Sequence, residues 1–108
     1  AGASFVARTT AYHVKEATQF LKKAINHKGF SVVEIFSQCP THYGRKNKEG
    51  DAVAMLELQK TGTATLGSKK LAENPDHVPR GIFVDEERPE YCTEYEKIIR
   101  LAMKEDVK

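Results

Sequence analysis

Cys39 opens the most chemically loaded stretch of the chain, Cys39-Pro40-Thr41-His42-Tyr43-Gly44-Arg45-Lys46-Asn47. A thiolate here can ligate a soft metal or act as a nucleophile, and a buried structural thiol is the competing role. Cys39 and His42 have the C-x-x-H spacing of half a zinc site. Four ligands are needed, however, and the other candidates, Cys92, His13, His27 and His77, are scattered. One cysteine cannot hold an iron–sulfur cluster, so a cluster on Cys39 requires ligands from outside these residues. Arg45, Lys46 and Lys48, beside His42 and Tyr43, suit a phosphate, a carboxylate or single-stranded nucleic acid, or form a plain solvated basic loop.

Gly50-Asp51-Ala52, with Asn74 23 positions after Asp51, superficially resembles the G-D-G…N signature that holds magnesium and a diphosphate in thiamine enzymes. The match is poor, because Ala52 replaces glycine, residues 46–49 form a charged loop instead of a buried strand, and Asn74 precedes a proline. A helix N-cap is the better role for Asp51. No G-x-S-x-G, Walker A, G-x-G-x-x-G or H-E-x-x-H motif occurs, so stand-alone catalysis has no visible apparatus.

The elements that must position Cys39 are legible around it. Residues 4–10 read as a short strand ending in two threonines. Val14, Ala17, Leu21, Ala24 and Ile25 recur at helical spacing, and Gly29 follows as the stop. Residues 30–36, F-S-V-V-E-I-F, form a nearly continuous apolar run, expected of a strand covered on both faces. Strand, helix and strand in succession describe a right-handed βαβ unit with parallel strands. Ligands of open α/β sheets gather beyond the carboxyl ends of such strands, which is where Cys39 falls. Asp51 precedes Ala52, Met55, Leu56 and Gln59, a helix of two or three turns. Residues 60–80 read mostly as loop, with a short strand near residues 63–66. Residues 81–85 read as a strand, and Thr93 with Glu96 as a capping box ahead of a terminal amphipathic helix carrying Tyr95, Ile98, Ile99, Ala102 and Met103.

Composition limits the classes. The chain has 108 residues, 40% hydrophobic and 30% charged, which fits one soluble globular unit. No apolar run approaches the ~20 residues of a membrane span, and the expectation is a cytoplasmic protein that binds no membrane. Seventeen Lys+Arg against fifteen Asp+Glu leave a formal charge of +2, and no RNP, KH or zinc-finger pattern is present, so nucleic acid is not expected as a partner. Two cysteines 53 positions apart do not make a disulfide scaffold. The start Ala1-Gly2-Ala3, without an initiator methionine, reads as the interior of something longer.

The residues also carry a family resemblance. Ala3-Ser4-Phe5-Val6-Ala7-Arg8, Lys22-Lys23-Ala24-Ile25 with His27-Lys28-Gly29-Phe30-Ser31, and above all Gln38-Cys39-Pro40-Thr41-His42-Tyr43-Gly44-Arg45 with Asn47 resemble the C-terminal part of the β subunit of 2-oxoacid:ferredoxin oxidoreductases. Gly81-Ile82-Phe83-Val84-Asp85 and Arg88-Pro89-Glu90-Tyr91 extend the likeness over nearly the whole chain, and the Cys-Pro-Thr-x-Tyr-Gly-Arg loop is most similar to the 2-oxoglutarate branch.

The resemblance implies an α/β fragment of a thiamine-diphosphate-binding fold. Residues 1–60 would be a βαβ-plus-helix portion of a thiamine-binding domain including the Cys39 loop. Residues 61–108 would be a loop-rich C-terminal extension of the same unit, ending in a helix. It implies that Cys39 ligates a 4Fe–4S cluster, whose other cysteines, like the true thiamine diphosphate and magnesium motif, belong to the rest of the β subunit. Cys92 matches no ligand position and is assigned a structural role. The implied reaction converts 2-oxoglutarate and coenzyme A to succinyl-CoA and CO2 and reduces ferredoxin or flavodoxin. Thr41, His42, Arg45 and Asn47 are candidates for substrate or anion contact, Arg45 toward a second carboxylate or coenzyme A phosphates. The isolated chain is expected to be inert, to hold no cofactor, and to self-associate through an unpaired strand edge near residues 4–7 or 31–36. A self-contained α/β anion-binding module with a buried cysteine is the alternative.

Overall fold

The computed structural model describes residues 1–48 and 50–105; Glu49, part of the charged stretch 46–49, lies outside the described residues. β1 (Phe5–Thr10), α1 (Val14–Asn26) and β2 (Ser31–Phe36) form the expected βαβ unit, with β1 and β2 parallel from Phe5 opposite Ser31 to Thr10 opposite Phe36. A π-type turn (Pro40–Gly44) then leads into one turn of α2 (Arg45–Asn47), followed by α3 (Ala52–Thr61), β3 (Thr63–Thr65), α4 (Lys69–Glu73), β4 (Val78–Asp85) and α5 (Tyr91–Glu105). The sheet order is β2-β1-β4-β3; β4 is antiparallel to β1 and parallel to β3. The sheet is thus mixed.

The period of two along β1 decides what is buried. Phe5, Ala7 and Thr9 face α1 and are essentially solvent-free, and Phe20 of α1 closes on them with Ala24, Val33 and Ile82. At the end of this face Arg80 of β4 ion-pairs with Glu16 of α1, and Thr9 Oγ1 donates to Glu16 Oε1 at 2.8 Å, tying β4 to α1 across β1. On the opposite face the Arg8 guanidinium lies 5.6 Å from the Phe36 ring centre and 5.2 Å from that of Phe83, while donating to Glu34 at 2.7 Å. Gly29 makes the return from α1 to β2 possible. Its φ is +116°, and a Cβ there would run into the Ser4 hydroxyl.

Several expectations are corrected. Residues 4–7 are not a sheet edge, because β4 pairs with the far side of β1. β2 is the outer strand, and it is not covered on both faces: Val32, Ile35 and Phe36 are each about 40% exposed. Its apolar run is that of an interior strand, but among the described residues the helix packed along it is α1, on one face. The segment read mostly as loop contains α4, whose N-cap Ser68 accepts the Leu71 N–H, and β4 starts at Val78, three residues before the expected Gly81. α5 starts at Tyr91, not after a Thr93 capping box; Glu90 accepts the N–H groups of Cys92 and Thr93, both at 2.9 Å. Asp51 caps α3 as expected, accepting the Ala54 N–H at 2.8 Å. No helix among the described residues is long and apolar enough to cross a membrane.

Candidate functional site

Cys39 lies three residues beyond β2, at the carboxyl end of a parallel strand. It is exposed, so it is not the buried structural thiol that its position alone allowed. Pro40 fixes the first residue of the turn, and the Gly44 N–H closes it on the Cys39 carbonyl at 3.0 Å, a ring one residue wider than an α-turn. The turn keeps the backbone N–H groups of His42, Tyr43 and Thr41 close to the Cys39 side chain. These amides favour the thiolate and hold the Cys39 thiol below its ordinary pKa. Gly44 is buried against α3, where an added Cβ would come within 2.7 Å of Met55 Sδ. α3 is therefore the platform on which the turn rests.

Between the turn, α3 and the strand ends is a cleft of about 510 Å³ whose lining includes Cys39, Tyr43, Phe36, Thr10, Met55 and Gln59. Thr10, the last residue of β1, lies with its Oγ1 2.7 Å from His13 Nδ1. Burial and then the Arg80 charge hold His13 below its ordinary pKa, so the imidazole is neutral near pH 7.

Of the residues singled out from sequence in the reactive loop, Cys39 and Tyr43 line this cleft. Thr41, His42, Arg45 and Asn47 are exposed on the turn and on α2, outside the lining. The Asn47 side chain is engaged locally, donating to the Tyr43 carbonyl at 2.9 Å. Among the described residues no three His, Cys, Asp or Glu side chains form a metal-holding group, so the Cys39–His42 pair has no third zinc ligand there. Cys92 is exposed on the first turn of α5 and packs into no core. Gln38 and Gln59 were not picked out as site residues; the one available signal was a glutamine at a helical-spacing position otherwise occupied by Met55 and Leu56.

Comparison with known proteins gives the class. No protein-family model matches the chain. It is 41% identical over 96 residues to the 2-oxoglutarate synthase subunit KorB of Methanothermobacter marburgensis, covering 85% of this chain and 33% of that one. It is 43% identical over 82 residues to the 2-oxoacid:ferredoxin oxidoreductase subunit beta of Saccharolobus solfataricus, covering 76% of this chain and 27% of that one. Its fold matches a chain of the 2-oxoglutarate:ferredoxin oxidoreductase of Magnetococcus marinus, solved with 2-oxoglutarate, coenzyme A and succinyl-CoA bound, with a TM-score of 0.68 and 25% identity over 94% of this chain and 36% of that one. The chain is a homologue of the β subunits of 2-oxoacid:ferredoxin oxidoreductases, which are subunits of an enzyme complex. Within that class it is similar to the subunits named for 2-oxoglutarate. It spans about a third of the length of the curated relatives it matches.

Proposed function

We propose that this chain is the C-terminal part of the β subunit of a 2-oxoglutarate oxidoreductase, in which Cys39 supplies one ligand of a 4Fe–4S cluster. The observation that carries this is the setting of Cys39: an exposed sulfur three residues beyond the carboxyl end of β2, on a turn closed by the Gly44 N–H on the Cys39 carbonyl, with the nearby amides favouring its thiolate. A thiolate is the ligating form of cysteine, and amide donors to cluster sulfurs help to set the potential. Such a cluster, when bound, would supply one-electron redox chemistry, and Cys39 would hold it. Its other ligands come from residues outside this chain.

Thiamine diphosphate and magnesium do not fit the residues present. The Asp51 carboxylate caps α3, and the Asn74 amide donates to the Lys70 carbonyl at 3.1 Å, so both members of the superficial motif have local structural duties. The diphosphate site belongs to the rest of the β subunit. Residues 1–60 then form the edge of the thiamine-binding domain and residues 61–108 its extension, with the β1–β4 ladder joining them.

The whole enzyme would oxidatively decarboxylate 2-oxoglutarate with coenzyme A, yielding succinyl-CoA, CO2 and reduced ferredoxin or flavodoxin in the cytoplasm. The ligands bound to the Magnetococcus marinus enzyme support this substrate and product. Thr41, His42, Arg45 and Asn47, exposed on the basic turn, are assigned to anion contact: a second carboxylate or coenzyme A phosphates. The test is to assemble the full-length subunit with its α partner and follow ferredoxin reduction. Reduction dependent on both 2-oxoglutarate and coenzyme A is expected; no reduction with 2-oxoglutarate, pyruvate or other 2-oxoacids would overturn the reading.

A further inference from the structure

One side chain joins the two strand-exit loops. The Tyr12 N–H, just beyond β1, donates to Gln59 Oε1 at 2.9 Å, and Gln59 Nε2 donates to Gln38 Oε1 at 3.3 Å. Because a backbone N–H can only donate, it fixes the orientation of the Gln59 amide: the oxygen faces Tyr12 and the NH2 faces Gln38. Gln38 immediately precedes Cys39, and Gln59 lies one helical turn beyond Met55, on which Gly44 rests. α3 thus grips the turn at both ends, at Gly44 through packing and at Gln38 through a hydrogen bond. Gln59 is also half-buried in the wall of the cleft onto which Cys39 opens.

We infer that Gln59 is a positioning residue for Cys39, clamping the Cys39 turn to the loop after β1 so that the sulfur keeps one orientation at the mouth of the cleft. The inference rests on the assignment of Cys39 as a cluster ligand for its functional meaning, but the clamp itself belongs to this chain. It gives the cleft a rigid wall shared by two loops that are otherwise separated by α1 and β2, and it fixes the sulfur direction before a cluster is present.

The test is amide hydrogen exchange in the full-length subunit, as wild type, Gln59→Leu and Gln38→Ala, with the Ser4 and Glu86 amides as distant references. Gln59→Leu removes both arms, and exchange at Tyr12 and Gly44 is expected to rise about twofold to tenfold, the effect of one net hydrogen bond on a local opening equilibrium. Gln38→Ala removes one arm, so Gly44 should respond and Tyr12 should not. Gln59→Glu should restore protection, since its carboxylate accepts from Tyr12 and from a rotated Gln38 amide. If Gly44 exchange is unchanged in both Gln59→Leu and Gln38→Ala, Gln59 merely ties down the loop after β1 and the inference fails. Should Gln59→Leu not fold, Gln38→Ala decides alone. In the cluster-bearing full-length subunit, Gln59→Leu and Gln38→Ala should shift the electron paramagnetic resonance of the reduced cluster, which a purely structural role would leave unmoved. A wild-type subunit without that signal would remove the cluster assignment and leave the exchange result to decide on the clamp.

Discussion

The backbone N–H of Gly44 meets the carbonyl of Cys39 at 3.0 Å, and in the turn this bond closes the amides of His42, Tyr43 and Thr41 hold the Cys39 thiol below its ordinary pKa. The second cysteine has the opposite environment. Hydrogen bonding to the Glu90 carboxylate, and then its charge, push the Cys92 thiol above its ordinary pKa. Both thiols are exposed, so access does not separate them. Below both pKa values, each unit between the two thiols is about tenfold in thiolate fraction. Iodoacetamide near neutral pH should therefore alkylate Cys39 several-fold faster than Cys92, read by peptide mass spectrometry. Equal rates would mean that the turn does not activate the thiol.

Glu90 makes the start of α5 sensitive to acid. The N–H groups of Cys92 and Thr93 hold its carboxyl at about 2, well below the ordinary 4.5. A depressed carboxyl contributes its stabilisation fully above the unfolded value and loses it as pH falls through the folded value. The first turn of α5 should hence stay capped down to about pH 4 and fray as the pH falls toward 2. Amide chemical shifts of Cys92 and Thr93 followed against pH check this, and Glu90→Gln should flatten the transition.

Gly29 has no tolerated substitute. Alanine would adopt a φ of +116°, unfavourable for any side chain, and press its Cβ on the Ser4 hydroxyl, which donates to the Phe30 carbonyl at 3.2 Å. Gly29→Ala should lower stability by about 2 kcal/mol or more, measured by denaturant unfolding. Pairing it with Ser4→Ala should recover only the part of the clash due to the hydroxyl, since the Ser4 Cβ and the Arg88 carbonyl stay within 3.2 and 3.3 Å of the added Cβ.

β2 presents a free backbone edge and exposed Val32, Ile35 and Phe36. Such an edge is a template for another strand. The isolated chain should self-associate at high concentration in size-exclusion chromatography with light scattering, and Ile35→Lys should shift it toward monomer. A monodisperse monomer for the unsubstituted chain would contradict this.

The βαβ unit was legible because its signals are local: the apolar spacing of α1, the glycine stop, and the β-branched run of β2. The Asp51 cap was legible for the same reason. The direction of β4 was not, since pairing of residues 81–85 with β1 is settled by long-range packing of Ile82 and by the Arg80–Glu16 pair, which leave no local mark. The start of α5 was misplaced because Thr93 and Glu96 mimic a capping box, while Glu90, two residues before Cys92, does the capping. At the site, Cys39 stood out by residue type and by its place after a strand. Gln59 did not, because its role depends on two partners 47 and 21 positions away.

The decisive measurement is the iron and acid-labile sulfide content of the full-length subunit, purified without oxygen, as wild type and as Cys39→Ser. A 4Fe–4S cluster is expected in the wild type and should be lost or converted to a three-iron form in the variant. A variant with the same iron content and the same reduced-cluster spectrum as the wild type would contradict the assignment of Cys39.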